Sequence, residues 1–209
     1  MIKTSYIKGK SFVGSDVYNE FYYHTEGGQS LVVIFPGSNY SCDKPLLHYA
    51  RKIGLSKGHD VLCFSFGYGL PWRDEGLQII EFLTEKCLTT IKEYQKKHYK
   101  TIYFVSKSVG CEVAGRVSEV LGYDKVKNCY LTPVKDTLHH VTASNCMVVV
   151  GAKDELIDQE DIAIMKQSEN VELALMENAM HSLEVDIDVI SSLNILGDTS
   201  KLMIEFIED

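Results

Sequence analysis

The sequence predicts an α/β fold, a mostly parallel central sheet with helices on both faces, as a single domain over residues 1–209. Three observations carry this expectation. From about residue 30 onward, short β-rich runs alternate with longer segments of helical periodicity, the rhythm of strand–helix–strand crossovers. A chain of 209 residues buries a substantial core yet leaves little room for a second domain of ordinary size. The composition, 45% hydrophobic and 24% charged, is globular rather than disordered or fibrous, and no internal repeat or linker interrupts it.

The elements follow in order. Tyr6-Ile7, Ser11-Phe12-Val13 and Phe21-Tyr22-Tyr23 read as leading strands at an antiparallel edge. Leu31-Val32-Val33-Ile34-Phe35 is a buried strand closed by Pro36-Gly37, and the helix after it, over 44–53, is expected to stop at Gly54. A strand over 60–66 ends at Gly67-Tyr68-Gly69. Apolar residues at Leu77, Ile80, Leu83, Cys87, Leu88 and Ile91 predict the longest helix, over 74–98. The strand over 101–106 passes almost directly into a helix over 109–121. Further strands are expected over 125–131, 146–150 and 171–176, and a last helix over 199–208.

The abrupt junction carries the chemistry. It reads Ser106-Lys107-Ser108-Val109-Gly110, and it resembles the nucleophile elbow of the α/β-hydrolase family, G-x-S-x-G, with Ser106 in the place of the first glycine. The residues two before and two after the serine must pass close to each other, so both need to be small. Taken alone, the same residues also suit a serine that simply caps a helix. The resemblance implies an α/β-hydrolase type of sheet with little or no cap domain, and Ser108 as nucleophile at a helix N-terminus. It further implies a chain order of serine, acid, histidine. Gly151-Ala152-Lys153-Asp154 follows the strand over 146–150 and matches the family's acid loop, while His181 is the one histidine after it. Asp154 is therefore the expected acid and His181 the base, with Asp136, Glu155 and Asp158 as alternative acids. In the same resemblance Phe35-Pro36-Gly37-Ser38-Asn39-Tyr40 matches the oxyanion loop, with Pro36 in place of the family's histidine. The N–H groups of Ser38 and Val109 are the implied donors, with Asn39 as an alternative to Ser38; a plain Pro-Gly turn is the other reading of that loop.

Asn39, Tyr40, Tyr68 and Trp72 belong to segments at the same sheet edge and are candidate substrate contacts, although Trp72 equally suits a role covering the core. Cys111, three residues after Ser108, sits inside the helix and lacks the exposure of an elbow. The pair His139-His140 reads as a solvated helix face where the family often inserts a lid, and His24, His48, His59 and His98 have no metal-ligand spacing.

The remaining features restrict the partners. The net charge is −8, from 21 Lys+Arg against 29 Asp+Glu, with no basic cluster, which argues against nucleic acid. No apolar run is long enough to span a bilayer and no leader segment is visible, so a protein working in the cytoplasm, away from membranes, is expected. The six cysteines form no C-x-x-C pair, which fits a reducing compartment and neither a disulfide framework nor a metal site. The expected activity is hydrolysis of an ester, thioester or related acyl bond in a small-molecule substrate, through an acyl-enzyme and without cofactor. An acyltransferase using the same triad, and a non-catalytic binding member of the fold, are the alternatives.

Overall fold

The computed structural model describes residues 1–95 and 99–208; the predicted end of the helix over 74–98, with His98, lies outside them. The strands are β1 (Ile2–Lys10), β2 (Asp16–His24), β3 (Leu31–Phe35), β4 (Asp60–Cys63), β5 (Ile102–Lys107), β6 (Lys127–Leu131), β7 (Cys146–Gly151) and β8 (Val171–Met176). They form one sheet in the order β1-β2-β4-β3-β5-β6-β7-β8. Strands β3 to β8 run parallel, and the hairpin β1–β2 adds an antiparallel edge through pairs such as Phe21 with Leu62. Ser11, predicted as strand, instead opens the hairpin turn, where Gly14 donates its N–H to the Ser11 carbonyl.

The helices are α1 (Pro45–Ser56), α2 (Trp72–Gln95), α3 (Val109–Leu121), α4 (Leu138–Ala143), α5 (Gln159–Gln167) and α6 (Val189–Glu208), with a 3-10 turn at Lys135–Thr137. Strand alternation divides the core between the two faces of the sheet. Leu31, Val33, Phe35, Phe104, Val148 and Val150 pack against Ile79, Leu83 and Cys87 of α2, Val113 and Val117 of α3, and Met165 of α5. Val32, Ile34, Tyr103, Val105, Met147 and Val149 point the other way, against Leu47 and Ala50 of α1 and Met203 and Ile207 of α6. Because the central strands are covered on both sides, their sequences are continuously apolar rather than alternating.

Four further details differ from expectation. Helix α1 runs through Gly54, because the missing side chain lets the helix lie on Val32 and Val61, whose methyl groups would approach an added Cβ to 3.0 and 3.1 Å. Strand β4 ends at Cys63, after which the Ser65 N–H leaves the ladder for the Asn19 side chain at 2.9 Å. Helix α6 begins at Val189, ten residues before the prediction. Its first turns hold two serines and a glycine, poor helix formers, and Asp188 offsets them by accepting the Ser191 N–H at 3.0 Å. Finally, His140 is not solvated: it is fully buried, and its Nδ1 lies 2.6 Å from the Tyr123 hydroxyl.

Candidate active site

The C-terminal ends of β3, β5, β7 and β8 deliver four loops to one edge of the sheet, where ligand sites of open α/β sheets form. At the β5–α3 junction Ser108 has φ 55° and ψ −126°, a left-handed conformation that costs free energy in a residue with a Cβ. The turn is held by the Ser108 N–H, which donates to the Leu131 carbonyl at 3.1 Å, and by the Ser108 carbonyl, which accepts from Cys111 N–H at 2.9 Å. Gly110 makes the turn possible, since a Cβ there would run into the Pro36 carbonyl oxygen and lie 2.8 Å from that of Phe35. Ser106 tolerates the tight approach because it is fully buried with its hydroxyl turned to the Cys129 carbonyl at 3.3 Å.

Against this serine stand the two other residues that the sequence singles out. His181 Nε2 is 2.8 Å from Ser108 Oγ, and His181 Nδ1 is 2.8 Å from Asp154 Oδ2. An ionised carboxylate only accepts, so Nδ1 carries the proton and Nε2 is left as acceptor for the serine hydroxyl. The Asp154 side chain is fully buried and its other oxygen accepts the Leu156 N–H at 2.9 Å, which fixes the carboxylate plane. Ser108 is 9% exposed and the His181 side chain 28%, so the chain of hydrogen bonds meets solvent chiefly at the imidazole. Asp136 and Glu155 are exposed, and Asp158 is engaged elsewhere, capping α5 through Glu160 and Asp161 N–H and pairing with Lys135 at 2.8 Å. That pairing holds the Asp158 carboxyl down at about 2. Cys111 is buried, its thiol turned to the Leu131 carbonyl and pushed up to about 12 by burial, which makes it a poor nucleophile.

The β3–α1 loop lies over the elbow. A Cβ on Gly37 would stand 3.3 Å from both Ser108 Cβ and Tyr40 Cβ, so the loop backbone passes close beside the serine. Val109, first residue of α3, has an N–H that no carbonyl within the helix can reach. Ser38, Asn39 and Tyr68 border a cleft of about 270 Å³ next to this loop, together with Tyr40. Tyr68, between two glycines with positive φ, is 87% exposed at its rim. Trp72 is not at the cleft: it opens α2 and packs half-buried on the apolar cluster of that face, the core-covering role.

One residue of the elbow has no role in the sequence reading. Lys107 is 2% exposed, and its ammonium donates to the Thr132 hydroxyl and to the His181 carbonyl, the latter at 2.7 Å. The signal was a charged residue at the end of an otherwise apolar strand. Among the described residues no cluster of three or more His, Cys, Asp or Glu could hold a metal ion, and no helix is long and apolar enough to cross a membrane.

No family model matches the sequence, and no match is found among curated proteins. Solved structures do match over nearly the full chain. The esterase Pf2001 of Pyrococcus furiosus superimposes with a TM-score of 0.70 at 15% identity, covering 99% of this chain and 92% of that one. An alpha-beta serine hydrolase homologue from Coxiella burnetii gives 0.65 at 16%, with 96% of each chain covered. Est1E from Butyrivibrio proteoclasticus gives 0.67 at 13%, covering 98% of this chain and 99% of that one. The chain has the α/β-hydrolase fold, with little or no cap domain.

Proposed function

We propose that the protein is a serine hydrolase that cleaves an ester, thioester or related acyl bond of a small-molecule substrate. The observation that carries this reading is the continuous hydrogen-bond chain from Ser108 Oγ through His181 to the buried Asp154. A serine hydroxyl is a weak nucleophile at neutral pH, and a base within hydrogen-bond reach is what activates it. His181 Nε2 takes the hydroxyl proton as Oγ bonds to the acyl carbon. Asp154 stabilises the imidazolium while keeping its own charge. The Ser38 and Val109 N–H groups receive the oxyanion, a contribution typically worth about 10²–10³ in turnover per donor. His181 then protonates the leaving group, and in the second half-reaction it deprotonates the water that clears the acyl-enzyme. Asn39, Tyr40 and Tyr68 contact substrate in this reading. The six thiols, all free and buried, support work in the reducing cytoplasm.

The test is labelling with a fluorophosphonate followed by peptide mass spectrometry, alongside turnover of p-nitrophenyl acetate. Modification is expected on Ser108 alone, and Ser108→Ala or His181→Ala should each lower turnover at least about 10⁴-fold with the fold intact. Wild-type protein that is folded yet neither labelled nor active would overturn the reading in favour of a binding role.

A further inference from the structure

Lys107 is a buried ammonium for which the acyl-transfer chemistry has no use. It ends β5, directly before the nucleophile, and its side chain is buried. There it gathers three other loops. The β6 loop contributes the Thr132 hydroxyl, the β8 loop contributes the His181 carbonyl at 2.7 Å, and the β3 loop contributes the Tyr40 ring, whose centroid lies 5.5 Å from Nζ. Burying a cation is costly unless it is well partnered, so retaining one here requires a reason.

Two further observations tie the lysine to His181. Thr132 sits at φ 44°, an outlier for a β-branched residue, fully buried, with its N–H held by the Val149 carbonyl at 2.7 Å. The strained backbone thus presents its hydroxyl to the ammonium. On the other side, the imidazole of His181 is held by hydrogen bonds to Asp154 and Ser108, while its backbone lies in an irregular segment with Asn178 and Leu183 both at positive φ. Backbone hydrogen bonds hold its neighbours, Met180 N–H to the Glu184 carbonyl at 3.0 Å and Leu183 N–H to the Met180 carbonyl at 2.9 Å, and it is Lys107 that holds the carbonyl of His181 itself.

We propose that Lys107 is a positioning residue, a clamp from Thr132 to the His181 carbonyl that holds the imidazole in line between Ser108 and Asp154. This rests on the reading of Ser108 as nucleophile. The clamp works best charged, because an ammonium makes shorter and stronger hydrogen bonds than an amine. The titratable and charged groups facing it are Asp154 from the β7 loop, Glu184 from the β8 loop, Cys111 from α3 and Tyr40 from the β3 loop, besides His181 itself. Desolvation outweighs the two carboxylates and brings the lysine down to about 8, so the clamp loosens as pH rises through that value.

The experiment compares wild type, Lys107→Met, Lys107→Arg and Thr132→Val in p-nitrophenyl acetate turnover across pH, with folding checked by circular dichroism. In Lys107→Met kcat should fall about 10²-fold, the cost of a misplaced reacting group, with KM changed by less than about twofold. Wild type should lose kcat as pH rises through about 8. That alkaline limb should vanish in Lys107→Met and in Lys107→Arg, whose guanidinium stays charged and restores part of the rate. Thr132→Val, which keeps the lysine, should lose about tenfold, and it decides the matter if the lysine variants do not fold. A second readout needs no turnover: the low-field proton NMR signal of the His181 Nδ1–H, assigned by its loss in His181→Ala, should move or broaden in Lys107→Met and Thr132→Val. Folded variants with unchanged kcat, unchanged alkaline limb and an unchanged signal would overturn the clamp. If wild type itself shows no turnover and no fluorophosphonate uptake, the hydrolase reading fails, and the NMR signal alone still decides whether Lys107 positions His181.

Discussion

At the scale of single residues, a buried cation leaves a thermodynamic signature independent of any substrate. The Lys107 ammonium, lowered by desolvation to about 8, is compared with about 10.4 for a lysine in the unfolded chain. Below about pH 8 both states hold the proton and the group's contribution is constant. Between the two values the unfolded chain holds it and the folded one does not, so stability rises with pH through that window. The contribution is full above about 10.4 and is lost as pH falls through about 8. A tenfold difference in proton affinity between the two states corresponds to about 1.4 kcal/mol, so the total is a few kcal/mol at most. Other groups titrate in the same range, and they cancel in the difference between wild type and Lys107→Met. Urea unfolding at about pH 7 and about pH 10 should show that difference tilting toward wild type at the higher pH. A difference that stays constant would mean that Lys107 is not desolvated in solution.

At the scale of elements, the site is built by close backbone approach between loops, and two glycines hold the contacts. Gly110 brings α3 against the β3 loop, and Gly151, ending β7, lies against the β8 loop, where a Cβ would strike the Ala179 carbonyl oxygen and come within 2.6 Å of that of Met180. Both obstacles are backbone, which moves only by shifting the loop. Gly110→Ala is expected to displace the β3 loop and Gly151→Ala the His181 loop, each lowering turnover by about 10²-fold or more. Each should also destabilise by about 1–3 kcal/mol, the range for overpacking. Turnover and urea midpoints of the two variants check this, and either variant retaining wild-type turnover would show that its loop can yield without misplacing the site. These contacts also mark what the sequence could reveal. The continuously apolar strands are local patterns that mark the central sheet, and the S-x-S-x-G junction marks Ser108; Asp154 and His181 came from the chain order that the resemblance implies, and the fold brings the three side chains within hydrogen-bond reach. The reach of Lys107 to the β6 and β8 loops depends on strand order, which no local pattern encodes. The early start of α6 was hidden for a different reason: its first turns are poor in helix formers, and a cap at Asp188 decides what propensity does not.

At the scale of the whole molecule, the thiols report on how far the fold behaves as one unit. Cys42 lies after β3, Cys63 in β4, Cys87 in α2, Cys111 in α3, Cys129 in β6 and Cys146 in β7, so both faces and most of the sheet are sampled. All six are free and buried, none more than 7% exposed. The neighbouring Cys63 thiol, together with burial, pushes Cys42 well above the ordinary thiol range, burial does the same to Cys87 and Cys129, and it raises Cys111 and Cys146 up to about 12. Since the thiolate is the reactive species, burial suppresses modification of all six in the native state, and the raised titration adds to this at those five. The two apolar clusters share the central strands: β3, β5 and β7 each place alternate residues in one and the other. Opening one face therefore exposes the backs of strands that hold the other, which favours a single cooperative transition. Treated with a disulfide reagent at about pH 8, the native protein should react slowly at all six positions with a common rate, while unfolded protein should react at once. Mass spectrometry of partially labelled samples should show unmodified and fully modified chains with little between. Intermediates modified first at Cys42 and Cys63 would instead show that the edge bearing β4 and the β3 loop opens separately, and would place the flexibility of the molecule beside the Ser108 elbow.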